Sequence, residues 1–346
     1  MKTLLVLTPG DPSGIGPEVT WKAIRKSKLQ TKGVSILCVG ARKPFDRLGC
    51  RVVEVRDSKS FAEIRPSSTT VFLLSAPEKA PAAGVHLEGF QSGWSISTAT
   101  ELVKRGFAAA LVTGPISKER LQKGGYPFPG HTEFLAHLCK AKGGVAPDVT
   151  MMLANRTLRV SLVTSHISLA HVPKALTREN LNRAILQTVS HLQDWWGIAR
   201  PHVAIAALNP HAGEAGLFGN EEIKTIVPEI RAIQNSARKG ARGFKLTGPL
   251  PADTLFANHL SLPVRERYDA VVCMYHDQGL IPVKLVDFPN TVNVTLGLPI
   301  VRTSVDHGTG FDIAGRNRAD PSSMLSAIDL AIFISKTRAP KRRKTS

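Results

Sequence analysis

Short apolar runs rich in β-branched residues alternate with helical patterns along nearly the whole chain, and this alternation restricts the fold more than any other feature. Runs at Thr3–Thr8, Val34–Val39, Val71–Leu74, Ala109–Thr113, Leu158–Thr164, His202–Ala207 and Ala270–Tyr275 predict strands. The spacing between them predicts helices over Pro17–Lys26, Ser92–Arg105, Glu133–Ala141, Arg178–Trp195, Asn220–Arg238 and Pro321–Lys336. Parallel strands need a crossover of a dozen or more residues, usually a helix, so the pattern predicts an α/β fold with a largely parallel or mixed sheet. At 346 residues the chain exceeds one ordinary core, which allows two domains or one large α/β unit. The helix before Gly197 is the best marked: Thr177 can cap it, and Leu181, Ile185, Val189 and Leu192 share one face. Trp195 and Trp196 are assigned to packing, and the Ser/Lys/Pro segment Asp57–Ser68 to a surface loop.

Composition removes several function classes. No apolar run is long enough to span a bilayer, which argues against a membrane protein. The opening Met1–Leu7 resembles a signal peptide but stops at Thr8-Pro9-Gly10 with no small-residue cleavage site, and fits a first strand better. Cys38, Cys50, Cys139 and Cys273 show no paired spacing; this argues against a disulfide framework or a thiolate zinc site and predicts a cytoplasmic protein. Net charge is +18, and six of the 45 basic residues fall in the last eleven positions, including Lys341–Lys344. The remaining 39 still face 27 acidic residues. Helix-turn-helix, zinc-finger and aromatic-platform signatures are lacking, so the charge is read as a solvated tail and a general attraction for anions rather than a nucleic-acid site.

Three predicted strands lead into histidine, at His166, His211 and His276. Ligands gather beyond the carboxyl ends of strands in α/β sheets, so these imidazoles can hold a catalytic metal with open positions. Each can equally be a hydrogen-bonded turn residue. The glycine-rich Thr8–Glu18 segment suits a phosphate cradle or a plain strand-to-helix turn, but lacks the dinucleotide and Walker fingerprints. His131 and Thr132 open a predicted helix, where free N–H groups favour an anion. Lys284, Asn293 and Arg302 sit in apolar context, suited to a buried anion or to exposed faces of alternating strands. Asp253 lies in a proline-bracketed turn as a general base, a further metal ligand or a helix cap. The loop His307–Gly315, with His307, Gly308, Thr309, Asp312 and Gly315, can wrap an adenosine.

Thr8–Glu18, Gly130–Phe134, Asn209–Glu214, Pro249–Phe256, Met274–Gly279 and Asn293–Gly308 together resemble the 4-hydroxythreonine-4-phosphate dehydrogenase (PdxA) family, over residues 3 to 336. The resemblance implies an isocitrate/isopropylmalate dehydrogenase-like two-domain α/β/α fold with a mixed sheet and an active site in the interdomain cleft. It implies a cofactor-side domain from residues 1–128 and 281–346, and a central substrate, metal and dimerisation domain from 129–280. His166, His211 and His276 then fall on metal ligands shared across a homodimer, binding one divalent ion (Zn, Mg or Co). His131, Thr132, Lys284, Asn293 and Arg302 fall on substrate-binding residues, Asp253 and Lys284 on catalytic ones, and His307, Gly308, Thr309, Asp312 and Gly315 on the NAD (or NADP) loop.

The implied reaction is NAD- and metal-dependent oxidation of 4-phosphooxy-L-threonine at C3, in pyridoxal 5′-phosphate biosynthesis. Its product, 2-amino-3-oxo-4-phosphooxybutanoate, decarboxylates to 3-amino-2-oxopropyl phosphate. The same motifs also suit a 4-phospho-D-threonate or 4-phospho-D-erythronate dehydrogenase. Two features depart from the family: Ser168-Leu169-Ala170 after His166, where a Pro-Leu and a charged residue are usual, and the Lys341–Lys344 tail.

Overall fold

The most apolar runs become the innermost strands. In the computed structural model, which describes residues 3–56, 58–237 and 243–338, Val34–Gly40 is buried at every position. That is the pattern of a parallel strand covered on both faces. The basic segment Lys341–Lys344 lies outside the described residues. The chain divides into two compact units, one of residues 3–149 and 298–336, the other of residues 150–297 with 337 and 338.

The first unit is a parallel sheet built from β1 (Thr3–Thr8), β2 (Val34–Gly40), β3 (Arg51–Glu54), β4 (Thr70–Ser75), β5 (Ala110–Thr113) and β12 (Arg302–Ser304), numbered along the chain. The order is β3-β4-β2-β1-β5-β12, and every pairing is parallel. The last strand comes from the far end of the sequence and pairs Arg302 with Leu111. Val6, Leu37, Ile96, Leu111 and Phe134 are among its core residues.

The second unit contains β6 (Thr150–Ala154), β7 (Arg159–Leu162), β8 (His202–Ala206), β9 (Lys245–Leu250), β10 (Ala270–Cys273) and β11 (Val292–Leu296), in the order β11-β6-β7-β10-β8-β9. β6 runs antiparallel to both neighbours and the other pairings are parallel, so the sheet is mixed, in agreement with the sequence. A separate core gathers Leu153, Val160, Ala204, Val271 and Leu280. The helix Arg178–Trp195 forms over its predicted span, with Thr177 Oγ1 accepting from Asn180 N–H at 3.2 Å. Leu181, Ile185, Val189 and Leu192 are buried along it. Trp195 is buried edge-on against His191 and Arg159 lies over Trp196, so both indoles serve packing.

Some elements differ from expectation for local reasons. The helix predicted from Ser92 starts at Leu87, because the His86 ring caps Gly89 N–H. Its glycines mask the helical pattern but are needed: a Cβ on Gly93 would meet the Tyr126 ring. The helix His276–Asp287 was not expected, since Gly279 and Pro282 break its pattern. Gly279 permits close packing, its absent Cβ lying 3.0 Å from Cys273 Sγ. Within the segment expected to be a loop, Ser58–Glu63 is a short helix, anchored by Phe61 beside Phe107. The four cysteines are free, with burial pushing the Cys139 thiol up to about 11. Among the described residues no helix is long and apolar enough to cross a membrane.

Candidate active site

Strands β7, β10 and β8 are adjacent and parallel, so all three predicted histidines follow strands that end on one edge of the second unit. The ends of β7 and β10 are tied together: Thr164 Oγ1 and N–H both donate to Met274 C=O, at 2.7 and 3.2 Å. Gln278, buried one residue beyond Asp277, ties β10 to β8. Its amide oxygen accepts Met274 N–H at 2.7 Å, and its nitrogen donates to Ala207 C=O at 2.6 Å. As a result the rings of His166 and His276 stand 5.7 Å apart, at a pocket of about 290 Å³ that Ser165, Leu169, Tyr275 and Asp277 also line. His276 Nδ1 lies 2.7 Å from an Asp277 carboxylate oxygen, which fixes the ring and leaves Nε2 for a ligand. Ser168 Oγ meets His171 Nδ1 at 2.6 Å, shaping the loop that follows His166.

His211 is held differently. Its turn, Pro210–Gly216, keeps six successive residues at positive φ: His211 (49°), Ala212 (55°), Gly213 (82°), Glu214 (43°), Ala215 (55°) and Gly216 (100°). For each non-glycine residue that region costs on the order of 1 kcal/mol. Ala215→Gly is therefore expected to stabilise the protein by up to about 1 kcal/mol, read as a rise in denaturant midpoint; an unchanged or lower midpoint would mean that the turn is not strained. Among the described residues no three His, Cys, Asp or Glu side chains gather closely enough to hold a metal ion within one chain. The structure thus brings His166 and His276 together and leaves His211 outside a set of three. Imidazoles on adjacent strand ends, one of them oriented by a carboxylate, nonetheless form a donor set that suits a divalent metal.

The same unit holds Asp253, exposed in the first turn of the helix Ala252–Ser261. Lys284 lies on the His276–Asp287 helix with its ammonium 5.6 Å from the centre of the Phe288 ring, and half-buried Asn293 lies on β11.

In the first unit His131 opens the helix His131–Leu138, followed by Thr132. His131 Nε2 is buried without a hydrogen-bond partner. Burial, and then the charge of Arg302, hold the ring pKa well below its ordinary value, so the imidazole is neutral at pH 7. Arg302 is 2% exposed and donates from Nε and Nη2 to Thr113 Oγ1, at 3.1 and 2.8 Å. Burial lowers its pKa to about 9, which still leaves it charged at pH 7. A buried cation, a neutral imidazole and a helix start are groups whose chemistry suits an anion.

The low His131 pKa has a stability consequence. The unfolded chain takes up a proton near pH 6.5 and the folded protein only at lower pH, so stability is lost as pH falls below about 6.5. His131→Asn is expected to lessen that loss in melts from pH 7.5 to 5; an unchanged slope would show that folding does not shift the His131 pKa.

The loop His307–Gly315 is pinned from outside. Ile15 N–H donates to Thr309 C=O at 2.8 Å, and Arg120 lies 4.3 Å over the Phe311 ring while its Nη1 meets buried Asp11 at 3.3 Å. A Cβ on Gly14 would stand 2.7 Å from Thr309 O, and one on Gly16 would strike Pro9 O. Close chain packing therefore accounts for the first glycine-rich segment as a strand-to-helix turn. His307 Nε2 is buried without a hydrogen-bond partner, while Gly308 and Gly315 have open space where a side chain would be. Those features suit a nucleoside that brings its own polar groups. Gln278, Arg120 and Glu222 went unnoticed in the sequence. Only their nearness to motifs marked them, since their partners lie on other elements.

The model of the family described as pyridoxal phosphate biosynthetic protein PdxA matches residues 38–331. The chain is 44% identical, over 96% of its length and 98% of the relative's, to a protein from Caulobacter vibrioides named 4-hydroxythreonine-4-phosphate dehydrogenase. It is 42% identical, over 94% and 95%, to a Bradyrhizobium diazoefficiens protein named putative D-threonate 4-phosphate dehydrogenase. A crystal structure of 4-hydroxythreonine-4-phosphate dehydrogenase from Klebsiella pneumoniae superposes with a TM-score of 0.82 at 36% identity, covering 97% of this chain and 98% of that one. With its α/β fold and mixed sheet, the chain is an oxidoreductase. It belongs to the PdxA family.

Proposed function

We propose that the chain oxidises 4-phosphooxy-L-threonine at C3, using NAD or NADP and one divalent ion. The observation that carries this reading is the His166–His276 pair, 5.7 Å between ring centres at the ends of adjacent parallel strands. His211 completes the donor set, and we place the ion between the two subunits of a homodimer. In support, Ile281, Leu285 and Phe288 are 63%, 86% and 54% exposed at helical spacing on and just beyond the His276–Asp287 helix. A second copy is the occupant that such an apolar stripe suits.

The ion's contribution is Lewis acidity, which lets an alcohol lose its proton near neutral pH; imidazole donors suit zinc or cobalt better than magnesium. The remaining work belongs to the chain. His131, Thr132 and Arg302 grip the 4-phosphate, and Lys284 and Asn293 bind the rest of the substrate. Asp253 takes the hydroxyl proton, with Lys284 as the second catalytic residue. A nicotinamide cofactor would supply the hydride acceptor for C3, and His307, Gly308, Thr309, Asp312 and Gly315 would hold its adenosine half. The product, a β-keto acid, loses CO₂ and takes a proton to give 3-amino-2-oxopropyl phosphate. The free cysteines fit a reducing compartment, and we place the enzyme in the cytoplasm.

The Bradyrhizobium relative favours a second reading, in which 4-phospho-D-threonate is the substrate; we group 4-phospho-D-erythronate with that reading. One assay separates them: NAD(P)H formation by chelator-treated protein on each substrate, with Zn²⁺, Mg²⁺ or Co²⁺ restored. Metal-dependent turnover of 4-phosphooxy-L-threonine at the highest kcat/KM supports the first reading. A preference for either hydroxy acid selects the second, and full turnover in chelator removes the metal from both.

A further inference from the structure

We propose that Glu222 is a positioning residue: it locks the left-handed turn Pro210–Gly216 and so fixes where His211 presents its imidazole, which rests on the reading of His211 as a metal ligand. Four non-glycine residues at positive φ in one turn persist only when outside contacts over-determine them. Glu222, 2% exposed, supplies those contacts. One carboxylate oxygen accepts the N–H groups of Leu208 and Asn209, both at 2.8 Å, where the chain leaves β8. The other accepts Asn209 Nδ2 at 2.9 Å, and the same amide donates to Glu221 at 2.7 Å.

The fit around this carboxylate is close. A Cβ on Gly213 would stand 2.8 Å from Glu222 Oε2, and one on Gly219 would stand 2.7 Å from Glu221 Oε2. At Gly213 the turn therefore lies directly on the Glu222 carboxylate. Glu222 also opens a single π-turn, Glu222–Ile226, ahead of the helix Val227–Ala237. Such turns recur at functional sites, where an extra residue redirects a side chain. The carboxylate is bonded by Leu208 and Asn209, the two residues that lead into the turn, so losing it frees the entry to the His211 backbone without removing a ligand.

The test titrates metal-free protein with Zn²⁺ and records the melting temperature of the same metal-free samples. Glu222→Ala is expected to weaken Zn²⁺ binding by about 10- to 100-fold while the metal-free protein still melts cooperatively. Glu222→Gln, which keeps an acceptor for both backbone N–H groups, is expected to fall between Glu222→Ala and wild type. His211→Ala is expected to lose the site. Wild-type Zn²⁺ affinity in Glu222→Ala, with binding lost in His211→Ala, would overturn the positioning role. Wild-type affinity in His211→Ala would instead overturn the ligand reading beneath it. If Glu222→Ala does not fold, Asn209→Ala and Glu222→Gln decide: wild-type affinity in both counts against the proposal, and weakened affinity in both supports it.

Discussion

His276→Ala is expected to give a folded protein that purifies with little divalent metal and turns over about 10³-fold more slowly. The side chain is partly exposed at the first residue of its helix, so its removal opens no core cavity. The tie from Gln278 to Ala207 C=O keeps the strand ends together without it. If His276 holds the ion as proposed, what is lost is a ligand, and Lewis-acid stabilisation is worth several kcal/mol, at about 1.36 kcal/mol per decade of rate. Asp277→Asn, which keeps the ring but weakens its orientation, is expected to cost about 10- to 100-fold in metal affinity. Metal analysis and single-substrate kinetics read both.

Mixing sharpens the test of a shared site. If the His166–His276 pair and His211 come from different subunits, a heterodimer of His276→Ala and His211→Ala rebuilds one intact site. Random reassociation of equal amounts then restores about a quarter of wild-type activity from two inactive parents. No restoration after verified subunit exchange would place all three ligands in one subunit. Unchanged metal content in His276→Ala would remove it from the set altogether.

The sequence exposed the strands that carry these histidines because buried parallel strands are continuous apolar runs, as in β2, β8 and β10. It exposed Arg178–Trp195 because cap and stripe agree there. It concealed elements whose residues answer to distant partners. Gly89 and Gly93 look like helix breakers until Arg120 and Tyr126 are seen against them. Pro282 looks like a stop, yet the helix His276–Asp287 runs through it. β12 is three residues long and takes its place by pairing with β5, far away in the chain. For the site, residue types at strand ends were legible. The left-handed backbone at His211 was not, because Ala212, Glu214 and Ala215 carry no local preference for it. The Glu222 contacts that hold it are tertiary.

Arg302→Met is expected to raise KM for the phosphorylated substrate by about 10²-fold while leaving the protein at least as stable as wild type. About 1.5–3 kcal/mol is what a hydrogen bond to a charged group contributes, and Arg302 offers a fork rather than a point charge. Arg302→Lys is therefore expected to recover only part of the loss. The stability side follows from the lowered pKa. Folding makes the guanidinium a weaker base, so at pH 7 the folded state holds this charge less favourably than the unfolded chain does. A group that stabilised the fold as an ion would shift the other way. Replacing it with an apolar side chain of similar length removes that desolvation cost. Inorganic phosphate provides the matching measurement: it is expected to raise the melting temperature of wild type but not of Arg302→Met, because a bound anion offsets a charge that only wild type carries. A large drop in the variant's melting temperature would make Arg302 structural, and an unchanged KM would take it out of the substrate site.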